Sequence, residues 1–341
     1  MKLKQIFISV SIFLVLFLTL FTDRLLPGSG AGSVFEQSFF AMGSMVTQKI
    51  YGYDAGQAAE LAQSAIERLD RTLLSRNVTG SDIARINAAA GISSVEAHPE
   101  TIEYLRFCLE LADETGGAFN PLLGALSDLW GIGGANPRVP PPEEIAEALP
   151  LCDYTRVEID GGKVFLPLKG MSFDLGAVGK GGACDAAAEA FDGQPGVTGA
   201  VVSVGGNILT VGQNHDGGAF NVALRDPRGG AFDRLGVFTL TGRNCVSTSG
   251  SYEKYFTRDG VRYHHIMDGG TGYPAESEFC SVTVCSKDGG LGDALSTACF
   301  VLTYEQSVAL LQKYNCEGVF VQQDGQVICT PGLDGIFELD S

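Results

Sequence analysis

"DLGAVGKGGACDAAAEAF", residues 174–191, runs from an acid through four glycines and a lysine into an alanine-rich segment, a turn that opens into a helix. The texture of the chain changes around it. On its N-terminal side the apolar spacing is mainly helical: Ala55–Asp70, a short helix capped by Ser81, and Pro99–Glu114, which stops at Gly116-Gly117. The proline-rich "NPRVPPPEE" (136–144) then crosses the surface into a further helix. Short strand-like runs come next, at Val157–Asp160, Lys163–Leu166 and Met171–Phe173. On its C-terminal side strands alternate with turns until a helix at about Leu291–Thr303, and two strands near Val319 and Val327 close the chain. Near the start, Ser38–Tyr51 reads as a strand interrupted by a turn at Met42-Gly43-Ser44. Helices early, strands late and no regular β-α-β alternation give an α+β fold. No internal repeat or low-complexity tract is present.

The opening stretch also carries chemistry. Gly176, Gly179, Gly181 and Gly182 leave amides uncovered where a helix begins, and Lys180 adds a positive charge, which together suit a phosphate. It is not a P-loop, because Asp174 stands at the first glycine of that motif and Gly181 where a magnesium-binding hydroxyl belongs. A tight structural turn would read the same way.

With 341 residues and a formal charge of −17, the chain has length for one large domain, and its acidity argues against nucleic acid as a partner. Met-Lys-Leu-Lys followed by apolar Ile6–Phe21 reads as an export signal. Residues 1–27 are therefore expected to be a signal peptide or N-terminal membrane anchor, the latter favoured, with residues 28–341 as the extracytoplasmic body. No cysteine precedes Cys108, which excludes a lipid-modified cysteine at the end of the signal. The nine cysteines are odd in number, scattered through apolar segments and without C-x-x-C spacing, so they read as buried thiols and not as a disulfide framework.

Three further clusters stand out. In "GDALSTACFVL" (292–302), Asp293 and Thr297 share a helical face, with Ser296 beside them, a set of hard oxygen donors of the kind Mg²⁺ accepts; an ordinary helix cap would look similar. Ser251-x-x-Lys254 resembles a serine-nucleophile motif but lacks the S-D-N and K-T-G companions, and that reading is set aside. In "HHIMDGGTGYP" (264–274), paired histidines precede a glycine-rich loop able to approach a ligand closely, and a neutral histidine there is a natural proton acceptor.

Taken in order, the chain resembles the FAD:protein FMN transferase family, also called ApbE. The resemblance rests on Met42-Gly43-Ser44, "SDIARIN" (81–87), "GGAFNPLLGALSDLWG" (116–131), "DLGAVGKGGACDAAAE" (174–189), "SVGGNI" (203–208), "TSGSYEKYF" (248–256), "HIMDGGTGYP" (265–274) and "GDALSTA" (292–298), and extends from Met42 to about Ile336. It implies an α+β arrangement of two related subdomains enclosing one FAD cleft. It also implies transfer of FMN from FAD to a Thr or Ser hydroxyl of an acceptor protein, with release of AMP and with Mg²⁺ on the pyrophosphate. By the same resemblance, the Ala177 carbonyl, Asp293 and Thr297 would hold the metal, with Ser296 a lesser contributor. Met42, Ala118, Phe119, Asn120, Asp174, Lys180 and Ile266 would line the FAD site, and His265 would be the base. The acceptors implied are flavin-carrying subunits of membrane electron-transfer complexes.

Four departures from the family pattern bear on function. Asp268-Gly269-Gly270-Thr271-Gly272 replaces the usual D-P-x-T-G, so a more flexible loop and looser FAD are expected. Asn120 and Asn207 stand where acids are usual, and Asn77 where an aromatic is common. Weaker retention of FAD makes a Mg²⁺-dependent FAD pyrophosphatase the leading alternative, and a non-catalytic FAD carrier the second.

Overall fold

The turn expected at Met42-Gly43 is a two-residue hairpin. Strands β1 (Val34–Ala41) and β2 (Ser44–Gly52) pair antiparallel, with Ala41 opposite Ser44. Both central residues have positive φ, 54° at Met42 and 65° at Gly43. Such a turn matches the twist of the strands, and glycine enters it without steric cost whereas methionine does not. The Met42 amide donates to Asp70 Oδ2 at 3.0 Å, which helps hold the unusual backbone.

The computed structural model describes residues 33–230 and 232–340, so the signal or anchor expected at 1–27 lies outside it. Among the described residues no helix is long and apolar enough to cross a membrane. After the hairpin come α1 (Ala55–Arg68), continued as a wider turn over Leu69–Leu74, then α2 (Asp82–Ala88), β3 (Val95–Glu96), α3 (Pro99–Glu114), α4 (Gly124–Trp130) and α5 (Pro142–Ala148). Strands β4 (Glu158–Asp160) and β5 (Lys163–Phe165) form a small sheet with β3, in the order β3-β5-β4. Met171–Phe173, expected as a strand, is irregular. Its place is held by a side chain: Asn87 accepts from the Phe173 amide at 2.8 Å and donates to its carbonyl at 2.9 Å, as a neighbouring strand would.

The second half holds α6 (Gly179–Asp192), β6 (Val197–Val204), β7 (Asn207–Gly212), β8 (Phe220–Arg225), β9 (Arg234–Leu240), β10 (Asn244–Gly250), the hairpin β11 (Tyr255–Arg258) and β12 (Val261–His264), and β13 (Phe279–Ser286). Helices α7 (Gly289–Val301) and α8 (Tyr304–Lys313) follow, then β14 (Glu317–Gln322), β15 (Val327–Cys329) and β16 (Phe337–Leu339). The start of α8 is marked by a Thr303-x-x-Gln306 capping box, a signal present in the sequence that the reading above passes over.

The central sheet has eight strands in the order β1-β2-β6-β7-β10-β13-β14-β15, every pair antiparallel. Helix α6 packs over β6 and β7, α7 over β10 and β13, and the two helices pack on each other. Alanines at 58, 59 and 62 of α1, 183 and 187 of α6, and 294 and 298 of α7 keep the three helices close to the sheet residues Val46, Ile50, Val202, Leu209, Val282 and Val284, all fully buried. The other face of β10 and β14 is covered by the sheet β16-β9-β8 through a second core containing Val246, Val319, Phe238 and Leu224. The architecture is the α+β one expected. The chain from Gly32 onward forms one compact unit, and the pairing of α6 with one half of its sheet and α7 with the other is consistent with two parts.

Candidate active site

Register places the site at one end of the sheet. Val46 is paired with Val204, and Val204 with Asn207, so the Met42-Gly43 turn and the Gly205-Gly206 turn lie side by side. A Cβ on Gly179 would stand 2.8 Å from Met42 Cε, and one on Gly205 would stand 2.4 Å from Ser44 Oγ and 3.4 Å from Lys180 Cδ. Met42, Ser44, Lys180 and the start of α6 therefore meet there, and glycine at 179 and 205 makes the meeting possible.

Asp293, on α7 and 2% exposed, points into the first turn of α6 and accepts from the Gly181 amide at 2.9 Å through Oδ2. Gly181 is the third residue of α6, and the amides of a first helical turn have no acceptor within the helix. Asp293 supplies that acceptor, and the Ala177 carbonyl, which precedes the helix, receives no backbone amide among the described residues. Lys180 Nζ lies 3.4 Å from Asp293 Oδ1 and donates to the Gly176 carbonyl at 3.1 Å. One turn further along α7, Ser249 at the end of β10 exchanges hydrogen bonds with Ser296 Oγ (2.8 Å) and Thr297 Oγ1 (3.0 Å). The sequence reading does not single out Ser249, although it lies inside the quoted "TSGSYEKYF" block.

These residues fit a divalent ion of the magnesium type. A carboxylate oxygen already faces a cation, a carbonyl just before the helix accepts no backbone amide, and a hydroxyl sits four residues from the carboxylate. Among the described residues no cluster of three His, Cys, Asp or Glu could bind a metal. An ion here would thus have one charged ligand and neutral oxygens otherwise, leaving positions for water or phosphate, which is Mg²⁺ behaviour and unlike a structural zinc site.

Asp174 accepts from Arg76 Nη1 at 3.1 Å and from the Gly176 amide at 3.1 Å. Arg76, mostly buried and also paired with Asp128, is a member of this region that the sequence reading missed; no local pattern marks it, because its partners lie about a hundred residues or fifty residues away in sequence, at separations of 98 and 52. The Asp174 amide donates to the Pro121 carbonyl, and the Gly124 amide to the Ser172 carbonyl. The two quoted blocks around 120 and 174 are therefore one structure. Asp82, in the "SDIARIN" block, is 1% exposed and accepts from Thr101, the His98 amide and ring, and Arg85. That block builds the scaffold on which Asn87 pins Phe173.

Phe119 lies fully inside the main core, so its side chain faces protein, while Ala118 and Asn120 are only partly buried. Asn120 is already committed: Oδ1 accepts from the Leu122 amide at 2.8 Å and Nδ2 donates to the Cys152 carbonyl at 3.0 Å. A carboxylate could not make the second bond, which gives this departure from the acid a local reason. Asn120 also touches the histidine loop, since a Cβ on Gly269 would be 3.0 Å from Nδ2. Asn207 is buried, and its amide atoms, like the nearby buried Ser247 hydroxyl, have no hydrogen-bond partner among the described residues.

The loop expected to be loose is an organised turn. Asp268 accepts from the Gly272 amide through its carbonyl, from the Gly270 amide through Oδ1 at 2.8 Å and from Thr271 Oγ1 through Oδ2 at 3.0 Å. Trp130 Nε1 donates to the Gly272 carbonyl at 2.9 Å, and φ at Gly272 is 76°. The buried Ile266 carbonyl receives the Ala275 amide. Ser251 is buried and bonded to the Cys280 carbonyl, in keeping with setting aside a serine nucleophile.

His265 and His264 divide as strand neighbours do. His264 is half-buried, edge-on to Phe300, with Nε2 on the Ala275 carbonyl. His265 is exposed and places Nδ1 3.2 Å from the Lys254 carbonyl. A carbonyl only accepts, so Nδ1 carries the proton and Nε2 keeps the free lone pair. Crowding by surrounding protein, with the Lys254 and Lys180 ammonium groups, lowers the His265 pKa to about 4. The ring itself reaches solvent, so the two cations make the direction secure. The imidazole is neutral at pH 7, with a free nitrogen and with Lys180 near enough for its charge to act on the ring.

The amides of Gly176, Gly179, Gly181 and Gly182, expected to be uncovered, are taken by Asp174, the Leu175 carbonyl, Asp293 and the Val178 carbonyl, so a neutral base, a lysine and a single-carboxylate oxygen site are what can accept a phosphate-bearing ligand and take a proton from a hydroxyl attacking it. The ApbE family model matches residues 42–320, and this chain belongs to that family. It is 37% identical over 287 residues to the FAD:protein FMN transferase of Treponema pallidum (strain Nichols), covering 79% of this chain and 78% of the other. To the protein of the same name from Klebsiella pneumoniae (strain 342) it is 34% identical, covering 86% and 91%. Among solved structures, the ApbE protein of Thermotoga maritima superposes with a TM-score of 0.82 at 32% identity, over 89% of this chain and 99% of that one. The apo flavinyl transferase ApbE of Pseudomonas stutzeri gives 0.78 at 29%, over 92% and 100%.

Proposed function

We propose that this chain transfers FMN from FAD to a Thr or Ser hydroxyl of an acceptor protein and releases AMP. The observation that carries the reading is the bond from the Gly181 amide to Asp293, which fixes that carboxylate at the α6 N-terminus. Ala177, Asp293 and Thr297 would hold Mg²⁺, which neutralises charge on the pyrophosphate when bound. Lys180 would orient the phosphates, and Met42, Ala118, Phe119 (through its backbone), Asn120, Asp174 and Ile266 would border the rest of the nucleotide. The acceptor oxygen attacks the FMN phosphorus, the bond to the AMP phosphate breaks, and the acceptor proton passes to His265 Nε2. The pyrophosphate anion offsets the two ammonium groups around the ring and raises its proton affinity when it is needed.

The apolar N-terminal stretch supports an extracytoplasmic, membrane-tethered enzyme serving flavin-carrying subunits of membrane electron-transfer complexes. The test supplies FAD and Mg²⁺ with and without a threonine-bearing acceptor domain, measures AMP and weighs the acceptor intact. A gain of one FMN mass, abolished by chelator, is expected. AMP without that gain would identify an FAD pyrophosphatase, and retained FAD with no AMP a carrier.

A further inference from the structure

Helices α6 and α7 hold each other by the same device used twice. In α6, Gly181 and Asp185 are four residues apart, and in α7 so are Gly289 and Asp293, so in each helix a glycine and a carboxylate share one face. A Cβ on Gly181 would stand 1.9 Å from the Gly289 carbonyl oxygen, and one on Gly289 would stand 2.3 Å from that of Gly181. The two backbones cross in direct contact. Over the crossing, Asp293 accepts from Gly181, and Asp185 returns the bond by accepting from the Gly289 and Gly290 amides at 2.8 and 2.7 Å. Asp185 Oδ1 also receives Arg243 Nη2 at 2.8 Å, and Arg243 Nε reaches the Lys287 carbonyl at 3.1 Å. The start of α7 has its own cap in Asp288, which accepts from Leu291, so Asp185 acts between the helices and not merely on one helix end.

We propose that Asp185 is a positioning residue for the metal site: its clasp on the first turn of α7 fixes the register of the two helices and thereby the placement of Asp293 and the Ala177 carbonyl. The inference rests on the reading of Asp293 as a metal ligand. Without Asp185 the α7 amides at 289 and 290 lose their partner, and the polar contacts left between the two helices at this crossing are those Asp293 makes with Gly181 and Lys180. The ligand then has to hold the scaffold as well as the ion.

The test titrates the full-length chain with Mn²⁺, following free metal by electron paramagnetic resonance, and measures thermal midpoints in parallel. Asp185→Ala is expected to weaken Mn²⁺ binding by about 10–100-fold, the usual cost of disturbing a group that orients a ligand. Asp185→Asn, whose amide oxygen still accepts from the helix, should recover part of that loss. Arg243→Gln, which leaves the amide bonds in place, should weaken binding less and guards against a variant that does not fold. A lowered midpoint with unchanged Mn²⁺ affinity in Asp185→Asn and Arg243→Gln would overturn the positioning role. Failure of the unaltered chain to bind Mn²⁺, or binding indifferent to Asp293→Ala, would instead overturn the functional reading and the inference with it.

Discussion

At the scale of single residues, His265 and Asp293 make opposite demands on pH and metal. With its pKa lowered to about 4, His265 is unprotonated across pH 6–8 in the ligand-free protein. Because bound pyrophosphate raises its proton affinity, FAD binding, measured by flavin fluorescence, is expected to tighten as pH falls from 8 to 6, a dependence lost in His265→Gln, which should slow transfer by about 10²–10⁴-fold while leaving FAD affinity at pH 8 nearly unchanged. The same shift has a stability sign. The unfolded chain takes up a proton near the ordinary histidine pKa of about 6.5 and the folded chain does not, so this contribution is complete above that value and is lost as pH falls toward 4. Denaturant titrations at pH 7 and pH 5 should show a smaller pH-dependent loss in His265→Gln than in the unaltered chain. Asp293→Ala should reduce metal-dependent AMP release by at least the ~10–100-fold that disturbing an outer partner costs, and added Mg²⁺ should restore little of it.

At the scale of elements, the site depends on how closely α6 and α7 approach and on what holds the irregular segment before α6. Gly181→Ala would place a methyl 1.9 Å from the Gly289 carbonyl oxygen, and backbone cannot swing aside as a side chain can. Overpacking of this kind costs about 1–3 kcal/mol. A lower thermal midpoint together with weaker Mn²⁺ binding is expected; a full retention of both would mean the helices tolerate separation. Asn87→Ala removes both bonds to Phe173, and at about 0.5–1.5 kcal/mol each it should cost roughly 1–3 kcal/mol. Amide exchange should then quicken selectively over residues 171–176. The motif block containing Asn87 is thus legible as a signature in sequence but its task, holding a non-strand in a strand's place, is not.

At the scale of the whole molecule, the acidic body folds without covalent staples. All nine cysteines are free thiols, most of them buried, and burial pushes Cys152 and Cys285 up to about 11. Cys329 alone is exposed. Native protein treated with a thiol reagent at pH 7.5 should therefore show one fast-reacting group, with the rest appearing only on unfolding, and reductant should leave the thermal midpoint unchanged. Several fast thiols would indicate that the core around Cys108, Cys184, Cys245 and Cys299 opens readily.

The sequence by itself determined the class of fold, most element positions and the family, because helix caps, glycine turns and apolar periodicity act over a few residues and leave local traces. Ser81, Met42-Gly43 and the spacing of Asp293 and Thr297 could be read that way. What only the tertiary structure decided are the relations between distant segments: Arg76 on Asp174, Ser249 on Thr297, Asn120 turned to the Cys152 carbonyl, Asp293 on the Gly181 amide and the returning clasp of Asp185. Each is a short polar contact between residues far apart in the chain. Its geometry is set by where the sheet and its helices bring two backbones together, and no local pattern encodes that distance.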